Sequence, residues 1–155
     1  MLPLSLSLQD TDLSMPLLME GNYPLRVKKT EVVEAKKIPG AYNIKIDFSL
    51  DGEATGTKGE AIKAGYPFTM YLPYPSDLRD EDSNTRCKQN LTRFQLAIMN
   101  LKNSKENLAS LPDFTDEFLH DSVDKIVLAK VRTSKQDDNS EYGPKSEIAS
   151  IAAID

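Results

Sequence analysis

The chain has 155 residues, with 19 Lys+Arg against 24 Asp+Glu and a formal net charge of −5. Apolar residues make up 39% and charged residues 28%, the balance of one soluble globular domain rather than a disordered, collagen-like or membrane-bundle chain. A single cysteine, Cys87, excludes an internal disulfide and a paired-cysteine zinc site, and a single histidine, His120, excludes a His-His metal pair.

The first residues, Met1 to Leu8, are apolar at alternate positions. They lack the basic start of a signal peptide, Pro3 breaks a helix, and Asp10 and Asp12 follow at once. No run approaches the ~20 apolar residues that span a bilayer, so a reducing cytoplasm is the expected compartment. Residues 1–20 read as an extended apolar and acidic leader, either a frayed edge strand or an arm that docks on a partner. Residues 15–19 are apolar enough to pack on the body. Residues 21–155 read as one domain.

Strand signals dominate residues 21–75, which hold eight bases and six acids, a local net of +2. Tyr23, Leu25 and Val27 alternate with Pro24, Arg26 and Lys28. After Pro39-Gly40, Tyr42, Ile44, Ile46, Phe48 and Leu50 alternate with polar residues over five matches, the clearest half-buried strand in the chain. This phase places Tyr42 and Phe48 in the core. Asp51-Gly52 starts a turn. Tyr66, Phe68, Met70 and Leu72 form a third alternating run closed by Pro73 and Pro75.

Residues 83–101 then read as a helix, with Leu91, Phe94, Ile98 and Leu101 on one stripe and Asn90 and Gln95 off it. Ser83 or Asn84 is the expected cap, with Asp80 to Asp82 suiting the positive helix start. A short helix is expected over 115–119, capped by Asp113 or Thr115. Residues 125–133 form a nearly unbroken apolar run, as in a strand covered on both faces. After a turn at 137–140, residues 142–151 form a last strand. Five strands with a helix between the third and fourth is the order of a mainly β, OB-type five-stranded Greek-key barrel. An α+β sheet with two helices on one face shares that order.

Chemistry for turnover is sparse. His120 has no nucleophile motif around it, and Cys87, though flanked by Arg86 and Lys88, reads as a small buried residue. The acids at 77–82 and at 137–141 lack ligand spacing, and Asp47 with Asp51 is the remaining pair for a metal-dependent nuclease. Gly56-Thr57-Lys58-Gly59 lies between strands, so it does not form the helix-flanked nucleotide clamp of a KH domain. Lys58 can still touch phosphate. What remains is a basic and aromatic β surface. By alternation Arg26, Lys28, Lys45, Tyr71, Lys130 and Arg132 point outward, with Asp47 the one acid in phase, and Tyr74 follows in a proline-bracketed bend. Cations along a backbone with aromatic faces for bases is the pattern that binds single-stranded nucleic acid.

Four stretches carry a family resemblance: Gly21 to Val27; the strand Tyr42–Leu50; the helix over 92–100; and Phe118-Leu119-His120-Asp121-Ser122-Val123-Asp124-Lys125 leading into Ile126-Val127-Leu128. Together they resemble the phage-encoded single-stranded-DNA-binding proteins of OB fold. Members often carry glycine just before the lysine of the last stretch, where this chain has Asp124. The chain ends Ile151-Ala152-Ala153-Ile154-Asp155, without the Phe-tipped acidic tail of bacterial functional relatives. The resemblance implies sequence-nonspecific single-stranded DNA binding without catalysis or cofactor. It implies protection of single strands in phage replication or recombination, in a host cytoplasm. Homo-oligomers and replication or recombination proteins are the further partners it suggests. The rival expectation is a protein-interaction module that self-associates through the apolar leader.

Overall fold

The computed structural model describes residues 4–9, 15–134 and 144–154. Its elements in chain order are β1 (Gly21–Glu34), β2 (Tyr42–Leu50), β3 (Ala54–Thr55), β4 (Ala61–Ile62) and β5 (Pro67–Pro73). Then come α1 (Glu81–Ile98), α2 (Lys105–Ala109), α3 (Asp116–Asp121), β6 (Ile126–Thr133) and β7 (Ser146–Ala152). Five strands form one antiparallel sheet in the order β5-β2-β1-β6-β7, and β3 and β4 form a separate small hairpin. The sheet is strongly curled into a half-barrel. β1 makes this possible by its length: Gly21 to Arg26 pair with β6, and Leu25 to Glu34 pair with β2. α1 lies across β5, β6 and β7.

Alternation explains most of the core. Ile44, Ile46 and Phe48 of β2 face inward with Leu25 and Val27 of β1, Phe68 and Leu72 of β5, and Val127, Ala129 and Val131 of β6, all buried. Leu91, Phe94 and Ile98 of α1 close the core, and Phe94 stacks edge-on to Phe118 with ring centres 6.2 Å apart. Leu18 from the leader is also fully buried. Its N–H donates to Ser146 Oγ at 2.9 Å, and the Tyr66 hydroxyl donates to the Pro16 carbonyl at 2.7 Å. Burial there pushes the Tyr66 phenol above its ordinary range, with a hydrogen bond from Ser146 acting in the opposite direction.

Several local expectations change. Tyr42 is not in the core: it is 51% exposed, because it is the first residue of β2 and stands beyond the packed stretch that begins at Ile44. β6 is covered on one face only, with Lys130 and Arg132 exposed between its buried residues. The cap of α1 is Asp80, whose carboxylate accepts the Ser83 N–H at 2.6 Å, so the helix starts at Glu81 and not after Ser83 or Asn84. The segment before α3 buries Gln95, which donates to the Pro112 carbonyl at 2.8 Å. α2 and the β3–β4 hairpin have too few apolar residues to announce themselves. β7 begins at Ser146, and the expected start at Tyr142 and the acids at 137, 138 and 141 lie outside the described residues.

Between α3 and β6 the chain turns at Asp124, whose φ of +73° is the left-handed conformation that glycine adopts readily. Its N–H donates to the Val27 carbonyl at 2.8 Å, and its own carbonyl accepts from Arg26 at 3.0 Å. Asp124→Val is expected to lower stability by about 1–2 kcal/mol, from the strain of a branched side chain at positive φ. Asp124→Gly is expected to cost nothing. Urea denaturation of both variants measures the difference, and equal loss in the two would show that the backbone conformation is not the cause.

Candidate nucleic-acid interface

The outward face of β1, β2 and β5 is laid out in rungs. Glu31, Lys45 and Tyr71 stand opposite one another across the three strands, and so do Lys29, Asp47 and Thr69, and then Val33, Asn43 and Pro73. A bulge between Val27 and Lys29 creates this register. Lys28 is the extra residue, and Lys29, not Lys28, takes the outward place opposite Asp47.

Two grooves meet on the middle rung. One, of about 560 Å³, runs from the β1–β2 loop and is lined by Lys36, Lys37, Asn43, Lys45, Tyr71 and Arg79, with Glu34 at its side. The other, also about 560 Å³, runs over Pro67 and Thr69 to Lys145, Ser146 and Glu147 at the start of β7. Lys45 and Tyr71 line both. Tyr71 is 54% exposed, with its ring at a strand position that buries nothing of the core.

The carboxylates of this face already have partners. Asp47 accepts the Thr69 hydroxyl at 2.9 Å, Glu31 lies 3.9 Å from Lys29, Glu147 is 2.9 Å from Arg132, and Glu34 accepts the Gly40 N–H at 3.2 Å. Arg79 is oriented by its bonds to the Tyr74 carbonyl at 3.1 Å and to Asn43 Oδ1 at 3.5 Å. Among the described residues, none of Lys36, Lys37, Lys45, Arg79 and Lys145, which line the two grooves, has a carboxylate within ion-pair distance. Such a track suits a polyanion, and the exposed ring between its two halves suits a flat apolar group.

Of the residues singled out from sequence, Lys45 and Tyr71 are brought together. Tyr74 is near them at the end of β5. Its N–H donates to the Tyr42 carbonyl at 2.9 Å, and its ring lines a separate notch with Val32, Tyr42, Phe114 and Asp116. Arg26 is held elsewhere: Nη2 lies 3.2 Å from Asp51 Oδ1 and Nη1 donates to the Asp124 carbonyl, so the side chain ties the turn after β2 to the turn before β6. Lys28 sits exposed on the bulge. Lys58 is in the β3–β4 turn, where its N–H donates to Glu60 at 3.2 Å. Lys130 faces out opposite Asn22 and Ser150 on the far side of β1, and Arg132 reaches the groove only through Glu147. Lys36, Lys37, Arg79 and Lys145 were not singled out. The Lys36-Lys37 pair before Pro39-Gly40 was a readable signal for a basic loop. Arg79 and Lys145 have no local signal, since tertiary contacts alone bring them here.

Asp47 and Asp51 engage Thr69 and Arg26 respectively and do not share a partner. Among the described residues no group of three or more His, Cys, Asp or Glu side chains is placed to hold a metal ion, and no helix is long and apolar enough to cross a membrane. Cys87 is buried, and His120 is exposed on the last turn of α3. Compared with models of known protein families and with curated proteins, the sequence matches none.

Proposed function

We propose that the protein binds single-stranded DNA, without sequence specificity and without turnover, across the outward face of β2 and β5. The observation that carries this reading is the pair Lys45 and Tyr71, one cation and one exposed ring, at the junction of two grooves lined by five cations, none of them ion-paired among the described residues. The sheet order supports it. The sheet order β5-β2-β1-β6-β7 is compatible with reading β1, β2, β5, β6 and β7 as strands one to five of an OB-type Greek key, a reading that would put α1 between the third and fourth. OB folds bind oligonucleotides on strands two and three, flanked by the loops between strands one and two and between four and five. Here those are β2, β5, the loop with Lys36 and Lys37, and the connection that ends at Lys145. The positive φ of Asp124, where the resembled phage proteins often carry glycine, points the same way. The biological role that follows is protection of single strands during phage replication or recombination.

Fluorescence anisotropy of a labelled oligo-dT of roughly 30 nucleotides, long enough for at least one OB-type site, tests the reading. Binding is expected to weaken steeply with salt. The log–log slope is about −0.7 for each phosphate neutralised, so roughly −3 for four or five contacts. Duplex DNA is expected not to displace the oligonucleotide. Absence of binding at micromolar protein and low salt would overturn the proposal.

A further inference from the structure

The two ends of the curled sheet meet in a seam. β5 and β7 approach each other closely, yet they are the first and last strands of the hydrogen-bonded order and are not paired with one another. Side-chain hydroxyls and the leader span the gap instead. Ser146, the first residue of β7, accepts the Leu18 N–H through Oγ at 2.9 Å and donates to the Tyr66 oxygen. Tyr66, at the entry to β5, donates to the Pro16 carbonyl at 2.7 Å. Each hydroxyl thus serves two partners, and the fully buried Leu18 anchors the leader between them. α1 packs on the other half of β7, beside residues 150–153, so this network is what holds the start of the strand.

The groove over Pro67 and Thr69 crosses the same seam. Lys45 and Tyr71 stand on its β5 side and Lys145 on its β7 side, with Met15 of the leader also in its lining. Lys145 is fixed through its backbone to the end of β6. Its N–H donates to Ser134 Oγ at 3.1 Å, and its carbonyl accepts the Ser134 N–H at 2.7 Å. Those bonds place it relative to β6 but not relative to β5. The separation of the two walls is set at the next residue, by the hydroxyl of Ser146.

We infer that Ser146 and Tyr66 are positioning residues for the nucleic-acid site: with the leader they clasp the seam at the width that lets one strand of DNA touch Lys45 and Lys145 together. The inference rests on the binding reading above and adds a coupling between the leader and the groove. A bound strand held by both cations favours the clasped seam, and by reciprocity the clasped seam favours the bound strand. When the seam opens, Lys145 moves away with β7 and its phosphate contact is lost.

Anisotropy of labelled oligo-dT over a salt series, with the full chain, tests this. Ser146→Ala and Tyr66→Phe are expected to bind about three- to tenfold more weakly than wild type, with a log–log slope flatter by about 0.7, the share of one phosphate. Lys145→Ala is expected to show the same loss. The double variant Lys145→Ala, Ser146→Ala should bind no more weakly than Lys145→Ala alone, because the hydroxyl acts through that lysine. Ser146→Thr keeps a hydroxyl and should restore both affinity and slope. Melting curves check that every variant is folded at the temperature of the titration. A hydroxyl that served stability alone would lower the melting temperature and leave the slope unchanged. An unchanged slope in Ser146→Ala and Tyr66→Phe, losses that add in the double variant, or no rescue by threonine would each overturn the inference while wild-type binding stands. Wild-type protein that does not bind oligo-dT would overturn the binding reading together with it.

Discussion

Leu18→Ala is expected to reduce the free energy of unfolding by about 2–5 kcal/mol, the cost of emptying a buried leucine site. Leu18 comes from a leader that the sequence marks as separate from the domain, yet no part of it is exposed. Its neighbours fix it by backbone bonds as well as packing. Met19 N–H donates to the Thr55 carbonyl at 3.1 Å, and Thr57 N–H donates to the Leu17 carbonyl at 2.8 Å, so the leader adds to β3. With the Ser146 and Tyr66 contacts, residues 16–19 join the β3–β4 hairpin to the start of β7 at the open side of the half-barrel. The half-buried Leu17 is a matched control, expected to cost less when truncated to alanine. Urea denaturation measures both. A loss below about 1 kcal/mol at Leu18 would mean that the leader separates from the body at little cost, contrary to its burial.

Tyr71→Ala is expected to weaken oligo-dT binding by about 1–3 kcal/mol, roughly 5- to 150-fold, with stability near that of the wild type. The ring is exposed, so its loss empties no core site; a stacked base loses its platform. The charge-reversal pair Lys36→Glu, Lys45→Glu acts on the other component. It removes two phosphate contacts and should flatten the log–log salt slope by about 1.4. Lys130→Glu, with β1 between it and the proposed face, is the control and should change little. Arg26 is unsuitable for the same purpose, because glutamate there would face Asp51 and lose the bond to the Asp124 carbonyl, lowering stability itself. If wild-type protein binds and Tyr71→Ala binds equally well, the interface lies on another face.

Strand content was legible where one face of a strand is buried, since a period of two is then written directly into the residues. β2 runs from Tyr42 to Leu50 as the alternation indicates, and β5 and β6 fall within a residue of their expected starts. The same rule misplaced Tyr42, because periodicity gives the side of a strand but not how far along it the partner layer extends. It also grouped Arg26 with Lys28, because a bulge shifts the phase by one residue without any apolar mark.

The candidate site was legible only in part for a related reason. Lys45 and Tyr71 could be paired because each alternates out of a clear strand. Whether a cation is available depends on which acid reaches it, and Asp51 is 25 residues from Arg26 while Glu147 is 15 from Arg132. Lys36, Lys37, Arg79 and Lys145 enter the grooves from three separate connections. Residue pattern by itself determined that this chain builds a mainly β structure with one long amphipathic helix, and which face of each main strand is apolar, because those properties depend on neighbours within a few positions. Tertiary structure alone decided which cations remain available, that within the apolar stretch 15–19 it is Leu18 that enters the core, and where two grooves meet, because each depends on side chains brought together from distant parts of the chain.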